Sequence, residues 1–400
     1  MNKESFKQIL TLRYDTTLDT TLSELKWENF YQKDKINKKD YSIIETSIRD
    51  EISKHLHGTS KTSISLSSGI DSTLVGTILK RHFPDVKVDS LSLTFSNSYD
   101  ESPFAQKIAD RLDFNHHVIY IENFLEELPK IISVVQKPFW DLHWYYIAKE
   151  TTRYSKKFLS GDGGDELFGG YVFRYKKYLS LVSKESSTIE KIKAYLACHE
   201  RDWIVEQEKI FTEKADFRWS QIYSILDKFF DNDLTLLDQV FLADFNGKLR
   251  YNMTPLYKKI HDNFGISYKA PILNKELLYF SSKLESKEKY DFIENQGKIP
   301  LMRLCREFKM DDLISKEKKG FSIDTKNLWE DYGKKISKYF LLDSRIVKDG
   351  WIQKDWIENN ISKNDLDYRD VNKFLGILAL EIWYRIFVTE DMSPNEKLNF

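Results

Sequence analysis

The chain predicts an α/β fold: a parallel sheet with helices on both faces, followed by a mostly α-helical second half. Three observations carry this. Between residues 41 and 159, short β-branched runs alternate with segments whose apolar residues recur at helical spacing, the pattern of strand–helix–strand units. Loops rich in Gly, Ser and Asp close two of the apolar runs, at 66–72 and 160–170. Beyond residue 175 the segments lengthen, keep a helical period and fill with Lys, Glu and aromatic residues.

The elements follow in chain order. Residues 1–40 are polar, mixed in charge and without a clean period; they read as an arm whose apolar residues (Ile9, Leu10, Leu12, Trp27, Phe30, Tyr31) dock elsewhere. Ile43, Ile44, Ile48 and Ile52 predict a helix over 41–55, ended by His57-Gly58. Residues 62–66 read as a short strand. Leu74, Val75, Ile78 and Leu79 share one face of a helix over 72–83, and Pro84 stops it. Strand is expected over 86–95 and 116–121. Helix is expected over 101–112, 124–135 and 143–154. Phe158-Leu159 leads into the second glycine-rich loop. The domain boundaries that result are 1–40 for the arm, 41–180 for an α/β domain and 181–400 for the mostly helical part.

Composition narrows the function. The chain has 400 residues, 41% of them hydrophobic, enough for a sizeable core. Its 61 basic and 62 acidic residues leave a net charge of −1, which gives no support to bulk binding of nucleic acid. The apolar runs are too short to span a bilayer. The N-terminal Met-Asn-Lys-Glu-Ser has no signal-peptide character. Cys198 and Cys305 are the only cysteines; two thiols make no disulfide framework or metal cluster, so both are expected reduced and buried in a cytoplasmic protein.

In Leu66-Ser67-Ser68-Gly69-Ile70-Asp71-Ser72, small hydroxylated residues and one glycine sit between a strand and a helix. Free N–H groups at a helix N-terminus, with serine hydroxyls beside them, form an anion cradle. A bare carboxylate would repel phosphate, so the natural task of Asp71 is to hold Mg²⁺, which in turn holds phosphate oxygens. No Walker A pattern occurs. The bland alternative is that Ser and Asp simply start the helix.

Residues 160–170, Ser-Gly-Asp-Gly-Gly-Asp-Glu-Leu-Phe-Gly-Gly, place Asp162, Asp165 and Glu166 in a glycine-rich loop between apolar anchors. Buried acids of this density are costly without a cation. Asp165 suits a second metal carboxylate, and Asp162 suits orientation or deprotonation of a nucleophile. The alternatives are a solvated loop or a calcium loop. The anchors weaken the first, and the spacing fails the EF-hand pattern. His116-His117 has no Cys or third His nearby and reads as strand, one side chain in and one out. Trp140, Trp144, Tyr145 and Tyr146 read as core packing, with a substrate pocket as the alternative.

These loops resemble the asparagine synthetase family, the class-B type within the PP-loop ATP pyrophosphatases. Residues 66–72 stand where that family has Ser-Gly-Gly-x-Asp-Ser, and residues 159–171 are similar, nearly letter for letter, to its second signature. Weaker similarities follow at Asp100-Glu101-Ser102, at Lys298-Ile-Pro-Leu-Met-Arg303 and at Lys318-Lys319-Gly320-Phe321. The resemblance implies a PP-loop, adenine nucleotide alpha hydrolase-like fold and two steps with ATP and Mg²⁺: adenylation of a carboxylate with release of pyrophosphate, then acyl transfer to ammonia or an amine. It implies that Ser67, Ser68, Gly69 and Ser72 hold pyrophosphate, that Asp71 and Asp165 hold Mg²⁺, and that Leu66, Leu93, Ser160 and Gly161 contact the adenosine. Asp162 and Lys318 would be catalytic, Lys318 meeting charge that develops on the α-phosphate and the leaving pyrophosphate.

Three departures bear on substrate. Ser68 replaces the more usual Gly. The family's Glu-x-Arg-x-Pro-Phe-Leu-Asp appears as Ser267-Tyr-Lys269-Ala-Pro271-Ile-Leu-Asn274. Asn2 stands where the family's N-terminal glutaminase domain has its nucleophilic Cys, and about 40 residues cannot house that domain. Glutamine hydrolysis is therefore not expected of this chain; nitrogen would come from ammonia, an amine, or a separate glutaminase or biosynthetic partner protein. No nucleic-acid or membrane partner is expected. A catalytically silent binding subunit is a different class of reading, and the intact Asp71, Asp162, Asp165 and Lys318 argue against it. A tRNA-modifying relative would want a basic patch and thiol or zinc chemistry, which the sequence lacks. The product (asparagine, a modified sugar, or a cyclised or conjugated metabolite) is open at this level.

Overall fold

The structure is a computed structural model that describes residues 3–31, 41–96, 98–199, 206–315 and 323–399. Five parallel strands form one sheet in the order β3-β2-β1-β4-β5. They are β1 (Lys61–Ser65), β2 (Lys87–Phe95), β3 (Asn115–Ile121), β4 (Lys157–Leu159) and β5 (Ser267–Lys269). The first four match the sequence expectation to within a residue or two. The fifth comes from the half that reads as helical.

Burial explains both faces. Successive strand residues point to opposite sides, so Phe158 enters one core and Leu159 the other. One face is covered by the helices Ser42–Leu56, Ile70–His82 and Ser102–Leu112, which pack Ile44, Ile48, Leu74, Ile78 and Ile108 against Ile64 and Val88. The other is covered by Leu128–Val135, Trp144–Thr151 and Thr254–Asn263, packed on Leu91, Leu93 and Phe95. Trp140, Trp144, Tyr145 and Tyr146 all lie in this second core.

The N-terminal arm contains a helix, Lys3–Leu12, that packs on the long C-terminal helix Tyr368–Phe387. Lys373 Nζ donates to the carbonyl of Leu10, and Gln207 Nε2 reaches the same oxygen at 3.2 Å. Ile9, Leu10, Leu12 and Phe30 are buried, whereas Trp27 stays exposed. Helix expected from 124 begins at Leu128, because Asn123 first makes a turn, accepting from Leu125 N at 2.9 Å. His116 sits between Ser90 and Ser92, and His117 pairs with Asp89 at 2.9 Å and stacks on Tyr154. Cys198 and Cys305 are both buried, and neither forms a disulfide among the described residues.

Candidate active site

The strand order creates the site. From β1 the chain steps outward to β2 and β3, then returns to the other side of β1 to form β4. The loops after β1 and β4 therefore diverge, and their strands are direct neighbours through Ser63↔Phe158 and Ile64↔Leu159. A crevice at the carboxyl ends of such strands is where open α/β sheets bind ligands. The two glycine-rich loops both open into it.

The first loop is tied to itself. Ser67 N donates to Ser72 Oγ at 3.1 Å, and Gly69 N donates to Ser67 Oγ at 3.2 Å. Ser68 Oγ donates to Glu101 Oε2 at 3.0 Å, which links the loop to the acidic segment after β2. The helix starts at Ile70, two residues earlier than its apolar pattern suggests, with Gly69 as an extended N-cap. The amides of its first turn, including those of Asp71 and Ser72, thus lie at a positive helix end. Leu66 follows β1 and bonds β2 through Leu91 O at 2.9 Å. Leu66, Leu93 and Ser160 are buried around the same edge of the sheet.

The second loop presses against the first. A Cβ at Gly161 would stand 2.6 Å from Ser72 N, and one at Gly164 would overlap the Asp71 carboxylate. Glycine at these positions is what allows the two loops to touch. A short helix, Gly164–Phe168, then carries Asp165 and Glu166.

Lys298 joins the two motifs. Its ammonium donates to Asp71 Oδ2 and lies 2.7 Å from Asp165 Oδ1. Burial works against the charge, but Asp165 and Asp71 outweigh it and hold the lysine above its ordinary value. The backbone fixes this reach: Lys298 adopts φ 55° and its N–H donates to Phe168 O at 3.0 Å. Asp71 Oδ1, buried beside it, has no hydrogen-bond partner among the described residues.

Asp162 belongs to a separate group. Tyr268, on β5, donates its hydroxyl to Asp162 Oδ2, and Ser160 Oγ donates to the same oxygen at 2.7 Å. Burial raises the Asp162 carboxyl to about 6; the two hydroxyls pull it down, and Asp71 and Asp165 push it up. Glu166 is also raised, by burial and then by Asp165, and accepts from Tyr171. Behind it Arg174 pairs with Asp244 at 2.9 Å, and Tyr195 donates to Asp244 at 2.7 Å.

The structure thus brings Leu66, Ser67, Ser68, Gly69, Asp71, Ser72, Leu93, Ser160, Gly161, Asp162 and Asp165 to the same carboxyl edge of the sheet, around β1, β2 and β4. Lys318 lies outside the described residues. Sequence reasoning gave no role to Lys298 or Tyr268, although Lys298 opens one of the weaker similarities. The departures at 267–274 have structural work: Lys269 pairs with Glu51, and Asn274 caps the Lys275–Lys283 helix by accepting from Leu277 N at 2.9 Å.

No cluster of three or more His, Cys, Asp or Glu suited to a metal ion occurs among the described residues. Mg²⁺ does not need one, since it is usually held by one or two carboxylates together with substrate phosphates. Asp71, with its unpartnered buried oxygen, and Asp165 fit that demand.

Fold and crevice define a doubly wound α/β protein with an acid-and-lysine centre at the switch point of its sheet. The sequence matches the asparagine synthase family over residues 44–385, and the chain belongs to that family. It is 22% identical over 386 residues to the glutamine-hydrolyzing asparagine synthetase 1 of Bacillus subtilis, covering 88% of this chain and 60% of that protein. It is 28% identical over 169 residues to the glutamine-hydrolyzing asparagine synthetase 2 of Oryza sativa subsp. japonica, covering 38% of this chain and 28% of that protein. The chain thus spans 60% of the length of the Bacillus relative.

Proposed function

We propose that the chain is an ATP-dependent carbon–nitrogen ligase that forms AMP and pyrophosphate. The observation that carries this reading is the meeting of Asp71 and Asp165, from two separate loops, on the single ammonium of Lys298 beside a helix N-terminus. Such a centre suits a triphosphate: backbone amides and serine hydroxyls for its oxygens, a lysine for its charge and carboxylates for its counter-ion. Family membership supports it independently.

In this reading the carboxylate oxygen of the substrate attacks the α-phosphorus of ATP. The bond from that phosphorus to the β-bridging oxygen breaks, and pyrophosphate leaves. An amine nitrogen then attacks the acyl carbon, the acyl–oxygen bond breaks and AMP leaves. Ser67, Ser68, Gly69 and Ser72 hold the β- and γ-phosphates. Leu66, Leu93, Ser160 and Gly161 form the adenosine side. Asp162 takes the proton that the attacking amine must lose; a carboxyl near 6 is ionised at neutral pH yet basic enough to accept it. Asp71 and Asp165 would hold Mg²⁺, which when bound neutralises triphosphate oxygens. Lys318 meets the charge that builds on the leaving pyrophosphate.

The substrates are a small-molecule carboxylate and ammonia or an amine, with a separate glutaminase or biosynthetic partner protein as the alternative source of the nitrogen. The cytoplasm is the proposed compartment; no described helix is long and apolar enough to cross a membrane. ATP–pyrophosphate exchange, screened over carboxylates that include aspartate, tests the reading. Exchange with at least one acid supports it. A chain that binds ATP and exchanges with none is a binding subunit.

A further inference from the structure

Lys298 occupies the place between the two carboxylates assigned to the metal. We propose that it keeps this metal site closed until a triphosphate arrives, so that the divalent cation enters with the nucleotide and not ahead of it. The proposal rests on the reading of Asp71 and Asp165 as metal carboxylates and adds an order of binding to it.

The ammonium touches both carboxylates at once. A divalent ion approaching either of them meets a positive charge already in place. Displacing that charge is not free. Lys298 is 5% exposed, so its head group has no ready path to water. Its backbone is pinned to Phe168 O, at the end of the short helix that carries Asp165. A bare ion that pushed the ammonium aside would leave it buried without a partner.

A triphosphate changes the exchange. Seated on the amides of the first turn after Gly69, it brings several anionic oxygens to the same crevice. The lysine can turn to a phosphate oxygen and keep a partner while it releases the carboxylates. Asp71 Oδ1 is already there as an unused acceptor. The ammonium therefore neutralises the pair in the free protein without saturating it, and nucleotide and metal take over together.

Mn²⁺, a paramagnetic stand-in for Mg²⁺, tests this on the full chain by electron paramagnetic resonance, with no need to know the acyl substrate. Wild type without nucleotide should show no protein site tighter than millimolar, and should hold Mn²⁺ once ATP is added. Lys298→Gln should gain a nucleotide-independent site at least tenfold tighter than wild type, about the scale on which removing a neighbouring group changes metal affinity. Mn²⁺ alone should then raise the melting temperature of this variant and not that of wild type. Lys298→Arg, which keeps the charge, should stay silent without ATP. A tight nucleotide-independent site in wild type overturns the proposal even if Lys298→Gln does not fold. A folded Lys298→Gln that gains nothing, beside normal Mn²⁺·ATP binding, overturns it while leaving the metal assignment standing. Failure of wild type and variant to hold Mn²⁺ with ATP overturns the assignment and the proposal together.

Discussion

Asp71 and Lys298, separated by 227 positions in the chain, form a buried ion pair at the carboxyl edge of the sheet. The same ammonium reaches Asp165 at 2.7 Å. Three distant segments are held together by this one ammonium.

Asp71→Asn and Asp165→Asn are each expected to abolish Mg²⁺-dependent pyrophosphate release with the fold retained. Asparagine is nearly isosteric but cannot balance a hard cation, and losing such a ligand removes on the order of several kcal/mol of charge stabilisation from the transition state. Pyrophosphate assays, with circular dichroism as the folding check, measure this. Wild-type rates in either variant would remove that residue from the metal site.

Gly164→Ala is expected to uncouple the two loops. The new Cβ would overlap the Asp71 carboxylate, which Lys298 holds in place. Overpacking of this kind costs about 1–3 kcal/mol. The melting temperature should fall and ATP affinity should fall with it. Unchanged ATP binding would show that the contact between the loops does not shape the site.

Asp162 is expected to set the pH dependence of the proposed reaction. Its value in the folded protein, about 6, lies above the ordinary 3.8. The native state therefore holds an extra proton between those values, and the stability this contributes is lost as pH rises through that window. Activity runs the other way, because only the ionised carboxylate accepts a proton: amine transfer should rise through pH 6 and level off above it. Asp162→Asn should suppress transfer while sparing ATP–pyrophosphate exchange. Tyr268→Phe removes a hydroxyl that lowers the Asp162 value, so the acid limb of the pH–rate curve should move upward. A limb that stays in place would mean that Asp162 is not the base.

Asp244→Ala tests the support behind the site. Its carboxylate pairs with the buried Arg174 guanidinium and accepts from Tyr195. Removing it strands a buried charge, at a cost of about 3–5 kcal/mol. Urea denaturation measures the loss, and a change below about 1 kcal/mol, within the range of a solvent-exposed pair, would contradict it.

Much of this was legible in the sequence, for physical reasons. Strand β1 carries β-branched residues around Ile64, β2 alternates Val88, Leu91, Leu93 and Phe95 with polar residues, and β3 ends in Val-Ile-Tyr-Ile, while the turns beside the two loops need Gly and small hydroxyls in fixed places. The loops therefore announced both themselves and their location at strand ends. β5 did not. It is three residues long, Ser-Tyr-Lys, with no alternation to read, and it is a strand because β4 offers it a partner. Lys298 was visible as a residue but not as a contact. Nothing local distinguishes a lysine at a helix start from any other, and its role exists only because its N–H is tied to Phe168. Tyr268 is silent for the same reason: its partner Asp162 lies 106 positions away.

The identity of the nucleotide products tests the central claim most directly. With a carboxylate and amine pair drawn from the exchange screen, phosphorus-31 NMR of the reaction should show AMP and pyrophosphate appearing in equal amounts, and neither with Asp71→Asn. Formation of ADP and inorganic phosphate, or the same products at the same rate in the variant, would contradict the account.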